Sequence, residues 1–409
     1  MLRTLFALLL LLPIAPTAPT VEVPDAPLTQ LLAAPVDVIG QVVDVVRTRD
    51  RGDDSNLWSF TVEIERVVRG EGLESGQRIA VTAWTRAPRG QPESLGHRAT
   101  FGGTNGLPRN GDRVRVHAEP KADTQGTFEV LLPNGFQPAE PLVVFVAADD
   151  EYRSEISLPL LAELLAKDTG VRTELVLAAD PETRAPDVAS KTANTGLAPL
   201  QQAHLAVLYL RYSRDVELAQ ALDAFARDGR PVVALRTATH AFAFGPDSPL
   251  GKLDNGFGER VIGAPWRWHH GHGSGTFLLA PEGAAASHPI VRGVGAALAE
   301  RPLVPSWLYV VEPLPEDCDV LLWGETAEAA AAEHPQRRQP ILWVRESKAA
   351  GSPRRMAYTS LGHPGDFENP AVRRLVLQMA LWALGEEESI PAAGLPARPA
   401  VPYTAPPTR

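Results

Sequence analysis

The chain has 409 residues, 44% of them hydrophobic and 22% charged, with a formal net charge of -10. That is enough apolar material for two cored domains, and the scattered basic residues form no stripe of the kind nucleic acid requires. A single cysteine, Cys318, excludes an intramolecular disulfide; it precedes the apolar Val320-Leu321-Leu322 and reads as a strand-edge residue rather than a nucleophile.

Residues 1–20 read as an export signal. Arg3 supplies a positive start, Leu5 to Ala15 an apolar run, and Ala15, Thr17 and Ala18 the small residues of a cleavage site. The run is too short to span a bilayer, and no cysteine follows it for a lipid anchor. The expectation is an exported protein, periplasmic or extracellular, with no membrane span. Residues 21–35 are Pro-rich and expected to form a linker.

Residues 36–133 have an all-β pattern. Strands are expected at Val38–Val46, Leu57–Val67, Gln77–Trp84, Asp112–Ala118 and Thr127–Leu132, with turn chemistry at Gly70, Gly76, Gly111-Asp112 and Asp123 to Gly126. Five short strands without a helix predict a small barrel, OB-like in its strand count. Ala87 to Arg109, rich in Gly, Pro and Arg, reads as a long loop.

After a hinge at Pro133 to Pro141 the period changes. Leu142–Ala148 is continuously apolar, as in a strand buried on both faces. A helix over Ser157–Lys167 stops at Gly170. Strands follow at Val171–Leu177, His204–Leu210 and Pro231–Leu235, with a helix over Asp215–Arg227 before the last of them. Later strands fall at Val320–Trp323, Ile341–Val344 and Met356–Ser360, and a final helix at Pro370–Leu384 starts near Pro and ends before Gly385. This alternation predicts an α/β fold over residues 142–385 with a doubly wound, flavodoxin-like, mostly parallel sheet. Residues 386–409, rich in Pro and Ala, read as a disordered tail.

Open parallel sheets bind ligands beyond the carboxyl ends of their strands. The residues at those addresses are Asp149, Asp150, Glu151, Tyr152, Arg153, Ser154 and Glu155 after the first strand, and Arg211-Tyr212 after the third. Arg236 to Phe242 follow the fourth, and Gly362 to Asn369 the last. Each also has a plain structural role open to it: Asp149 to Glu151 as helix caps, Arg236 as an ion-pair partner, His240 as a core histidine. His363, in a tight turn between Gly362 and Pro364, is the residue best placed for chemistry. A second concentration is Trp266-Arg267-Trp268-His269-His270-Gly271-His272-Gly273. Imidazoles bind divalent metals or move protons near neutral pH, and indoles stack on the apolar faces of sugars. The spacing matches no standard zinc motif, and neighbouring His269 and His270 point opposite ways in an extended segment. His97, His117, His288 and His334 read as structural.

Four stretches together resemble the ThuA-like (trehalose-utilisation) family, a branch of the class I glutamine amidotransferase-like superfamily: Ala148 to Glu155, Pro231 to His240, Trp266 to Gly273 and Thr359 to Phe367. The resemblance covers about residues 142–385. It implies a substrate related to trehalose or to oxidised keto-sugars. One departure matters: where the amidotransferases carry a Cys nucleophile, this chain has Arg236, a permanent cation that attacks no carbonyl. Their His-Pro-Glu becomes His363-Pro364-Gly365, leaving Asp366 or Glu368 to orient His363. A thiolate glutaminase is therefore excluded.

The leading expectation is a carbohydrate-processing enzyme. His363, His240, His270 and Asp366 are assigned to acid/base catalysis, and Asp150, Glu151, Arg153, Arg211, Arg236, Trp268, His269 and His272 to the substrate. A non-catalytic carbohydrate- or partner-binding module is the alternative, and a metal-dependent hydrolase the third. No residue is assigned as a metal ligand, although a divalent metal remains possible as a cofactor.

Overall fold

The computed structural model describes residues 26, 28–49, 55–86, 104, 106–122, 124, 126–271, 274–331, 333–347 and 353–398. The expected export signal, His97, His272, most of the Ala87–Arg109 loop and residues 399–409 lie outside them. No helix among the described residues is long and apolar enough to cross a membrane. The chain divides into two compact units between Ala139 and Glu140. Part of the expected linker is a short helix, α1 (Leu28–Leu32).

The N-terminal unit contains β1 (Val36–Arg49), β2 (Ser55–Arg69), β3 (Arg78–Arg86), β4 (Arg113–Pro120), β5 (Thr127–Val130) and β6 (Phe136–Pro138). Pairing runs β1-β2-β3-β5-β4 and back to β1, which closes a five-stranded barrel, and β6 adds to β4. Closure follows from period-2 patterning: Trp58, Phe60, Val62 and Ile64 of β2 all point inward and are buried with Val36, Val38, Val81 and Val116.

Polar groups also enter this unit. Arg115 donates two hydrogen bonds to the buried Asp37 carboxylate, at 2.8 and 2.6 Å. His117 is fully buried beside them, its Nδ1 3.8 Å from Asp37 Oδ1. Burial pushes its pKa down to about 4; Arg115 and Arg69 add to this and Asp37 opposes it. The unfolded chain takes up this proton near pH 6.5, the barrel only near pH 4, so the unfolded state binds more protons in between. Stability is therefore lost as pH falls through that window. We expect the barrel to be about 2 kcal/mol less stable at pH 5 than at pH 7 through this residue. Chemical denaturation of wild type and His117→Phe checks this: the variant should lose that part of the pH dependence.

The C-terminal unit begins with β7 (Leu142–Ala148), α2 (Ser154–Thr169), β8 (Arg172–Leu177), α3 (Ala198–Gln202), β9 (Leu205–Leu210), α4 (Val216–Arg227) and β10 (Val232–Leu235). It continues with β11 (Trp268–His269), β12 (Thr276–Leu278), α5 (Gly295–Ala299), β13 (Leu303–Val304) and β14 (Tyr309–Val310). The last elements are β15 (Cys318–Thr326), β16 (Arg338–Glu346), β17 (Arg355–Thr359) and α6 (Pro370–Leu384). Nine strands form one sheet in the order β13-β12-β15-β16-β17-β10-β9-β7-β8.

Strands β8, β7, β9, β10 and β17 run parallel; the pairings of β17, β16, β15, β12 and β13 are antiparallel. The sheet is thus mixed, which corrects the expectation of a mostly parallel one. Among the described residues, the connections from β15 to β16 and from β16 to β17 contain no crossover helix to return the chain to the same end of the sheet. Both faces are covered. Val143, Phe145 and Ala147 pack with Leu158, Leu161 and Leu165 of α2 and with the buried side of α6. Val144 and Val146 pack with Leu218, Leu222 and Phe225 of α4. Each alternate residue of β7 thereby enters a different core, which explains its unbroken apolar run.

The expected disordered tail is partly ordered. Residues 387–389 form a 3-10 turn, Ile390 and Leu395 are buried, and Leu395 N–H donates to Gln378 Oε1 at 2.9 Å.

Candidate functional site

The carboxyl ends of β7, β9, β10 and β17 bring their following residues to one rim of the sheet. After β7, Asp149 is buried; its Oδ1 accepts the Glu151 and Tyr152 N–H groups, and its Oδ2 accepts the Thr237 hydroxyl at 2.6 Å. Asp149 therefore ties two strand ends together. Asp150 pairs with Lys191 at 2.6 Å and Arg211 at 3.4 Å, while Arg211 reaches Glu151 at 2.8 Å. These charges balance one another along one edge. Arg153 folds onto Glu155 at 2.5 Å.

β10 ends in a sharp turn. Arg236 has φ of 41°, a left-handed conformation that is an outlier for a large side chain. Its side chain is fully buried. The guanidinium donates to the Ser360 carbonyl at 2.9 Å and to the Tyr152 hydroxyl at 3.2 Å. It lies between the Tyr152 ring, 4.2 Å away, and the Tyr309 ring, 4.7 Å away. The sequence assignment of Arg236 to direct substrate contact is thus corrected: an enclosed side chain reaches no ligand.

His240, four residues on, is 5% exposed and packs its ring against Tyr212 at 4.9 Å, Trp266 at 5.5 Å and Tyr309 at 6.3 Å. Burial pushes its pKa down to about 3, helped by Arg211, Arg236 and Lys191. It is therefore a neutral imidazole at any ordinary pH. Thr239 Oγ1 lies 3.1 Å from its Nδ1.

The turn after β17 is fixed from below. Asp366 is fully buried and accepts from Ser306 N–H at 3.0 Å, from the Ser306 hydroxyl and from Gly362 N–H at 2.8 Å. Its hydrogen bonds hold backbone and Ser306, not the imidazole, which corrects its assignment beside His363. Only glycine fits at 362, because a Cβ there would sit 2.7 Å from the Tyr209 hydroxyl and 3.0 Å from Arg236 Cβ. His363 is half-buried, 6.3 Å ring to ring from Tyr152. Burial lowers its pKa; Asp366 and Glu368 oppose this and Arg236 reinforces it. Its Nδ1 accepts the Gly365 N–H at 3.1 Å. The lone pair is thereby engaged at Nδ1, so the neutral ring carries its proton on Nε2 and presents a donor.

The remaining wall comes from β11 and β14, which pair His269 with Tyr309 and Trp268 with Val310. Adjacent strand residues point to opposite sides. His269 joins the rim, with ring centroids 5.0 Å from Trp307, 6.3 Å from Tyr309 and 6.5 Å from Trp266. Its Nδ1 lies 2.8 Å from the His270 carbonyl; a carbonyl only accepts, so Nδ1 carries a proton. His270 turns away. It is 2% exposed, lies 2.9 Å from the Gln336 carbonyl through Nε2, and packs with Trp268 and His334. The assignment of His270 to acid/base catalysis with His240 and His363 is therefore corrected: His269 stands on the rim side, and Trp268 packs with His270 on the other. His272 lies outside the described residues.

Tyr152, Trp307 and Tyr309 complete the rim with Trp266, although the first three were assigned no role. Tyr152 and Trp266 lie inside motifs that were read. Trp307 and Tyr309 carry no motif, and only the β11–β14 pairing brings them in. Among the described residues no three or more His, Cys, Asp or Glu side chains are grouped to hold a metal ion. Burial raises the Cys318 thiol to about 12, so it is no nucleophile.

Compared with known proteins, the chain matches no protein-family model and no curated protein. It is similar in structure to a protein described as ThuA-like from Bacteroides uniformis, at 13% identity and a TM-score of 0.41, over 61% of this chain and 93% of that one. A protein described as ThuA-like from Parabacteroides merdae is similar at 15% identity and a TM-score of 0.40, over 60% of this chain and 90% of that one. A β-galactosidase of Rahnella sp. R3 aligns at 13% identity and a TM-score of 0.35, over 62% of this chain but 32% of its own length. These likenesses are too weak to say anything of the reaction.

Proposed function

We propose that the protein is an exported, distant ThuA-like protein whose strand-end rim binds a carbohydrate and acts on it through its histidines. In the same reading its sheet is a flavodoxin-like core with an antiparallel extension, and its barrel is OB-like. One observation carries the functional part: Tyr212, His240, Trp266, His269, Trp307 and Tyr309 form one continuous run of ring contacts at the carboxyl rim. A sugar offers apolar C–H faces and many neutral hydroxyls. Indole and phenol rings suit the faces, and imidazole nitrogens suit the hydroxyls.

The His363 tautomer extends this to chemistry. His363 Nε2–H donates to an oxygen on which charge develops. A sugar bearing a carbonyl group supplies such an oxygen.

Isothermal titration with oxidised and unoxidised disaccharides tests the reading. Wild type should bind at least one of them, and Trp266→Ala should weaken that binding about tenfold, the ~1.4 kcal/mol of one aromatic face. If no saccharide binds at millimolar concentration, the proposal is wrong.

A further inference from the structure

Arg236 combines two features that each cost stability. A non-glycine residue with positive φ stores about 1–3 kcal/mol of strain. A buried cation needs compensation, yet every partner of this guanidinium among the described residues is neutral: the Ser360 and Trp307 carbonyls, the Tyr152 hydroxyl, and the faces of Tyr152 and Tyr309. Its Nε has no hydrogen-bond partner among the described residues. The Arg236 carbonyl is in turn held by the Tyr358 hydroxyl at 2.8 Å, so the turn is fixed from both ends. A neutral residue would fill the same space at lower cost.

We propose that Arg236 is a positioning residue: a permanently charged strut that fixes the aromatic floor of the rim and gives the site a standing positive charge without touching the ligand. The geometry supports each half. The two tyrosines that sandwich Arg236 are the ones that touch the histidines, Tyr152 against His363 and Tyr309 against both His240 and His269. Removing the guanidinium therefore loosens contacts to all three imidazoles at once. The charge acts in a low-dielectric surrounding, where it disfavours a second cation nearby. His240 faces Arg211, Lys191 and Arg236 with no carboxylate among the groups that shift it, beside Tyr212 and Tyr309. His363 faces Asp366 and Glu368, which favour its cation, and Arg236, which opposes it, beside Tyr152. Among the described residues, Arg236 is the charge that acts on both. It deepens the carbohydrate reading and rests on it: a fixed cation below the site favours substrates on which negative charge develops.

The test is the titration of the histidine side chains by NMR in the full chain without ligand. Arg236→Gln keeps a donor for the Ser360 carbonyl and removes the charge. The His363 midpoint should move to higher pH by up to about one pH unit, and Arg236→Lys, which restores the charge, should return it toward wild type. A strut with only a structural role would change melting and leave both midpoints in place. An unchanged His363 midpoint in folded Arg236→Gln overturns the proposal. If that variant does not fold, the wild-type midpoint decides: a value at or above that of an ordinary histidine, despite the cation, overturns it. Because no ligand is present, failure here leaves the carbohydrate reading standing, and absent saccharide binding leaves the titration result standing.

Discussion

Asp366→Ala should destabilise the C-terminal unit by about 3–5 kcal/mol, as expected when several buried donors lose their acceptor at once. The carboxylate is fully buried and accepts from both Ser306 donors and from Gly362 N–H. Alanine leaves those donors facing a void that water cannot easily serve, and each orphaned group costs about 1–3 kcal/mol. The turn carrying His363 would loosen with them, because His363 N–H itself donates to the Ser306 hydroxyl. Thermal unfolding of the unit should shift down by roughly 10 °C. Asp366→Asn keeps one acceptor and should fall between. A melting point within two or three degrees of wild type for the alanine variant would show that the turn is held by something else.

His363→Ala should have the largest functional effect. If Nε2–H stabilises developing charge, its removal should lower turnover of a cognate sugar roughly 10²–10³-fold. Only one side-chain hydrogen bond, from Gly365 N–H, is lost, so stability should fall by no more than about 1.5 kcal/mol. Saccharide-dependent melting shifts should largely survive. That split separates catalysis from binding: an undiminished turnover removes His363 from the chemistry, and a binding module would show no turnover in either protein.

Much of this architecture is legible in the chain. The run Leu142–Ala148 announces a doubly covered strand, and the helix over Pro370–Leu384 is bounded by residues whose backbone preferences fit its ends, with Asn369 capping and Gly385 left-handed. The strand-end address also brings Asp150, Glu151, Arg211, His240 and His363 to one rim. What is not legible is parity and long-range pairing. His269 and His270 are neighbours of like chemistry, and the two-residue strand β11 sends them to opposite sides; only its partner Tyr309 on β14 decides which one faces the rim. Local sequence carries no such information. Trp307 and Tyr309 were missed for the same reason. Arg236 was assigned to the ligand because a permanent cation at a strand end suits an anionic group; its enclosure by Tyr152 and Tyr309 comes from two distant segments. In the tail, Pro and Ala composition hides Ile390 and Leu395, two apolar anchors that bury without any periodicity.

The claim on which the rest depends is that His240, His269 and His363, far apart in the chain, form one carbohydrate site. Saccharide titration followed through the histidine side-chain NMR signals tests it most directly. The signals of these three should move together and saturate at one dissociation constant, while His270 and His117 stay still. If the three respond at different concentrations, or His270 moves in place of His269, the site described here is not the site the protein uses.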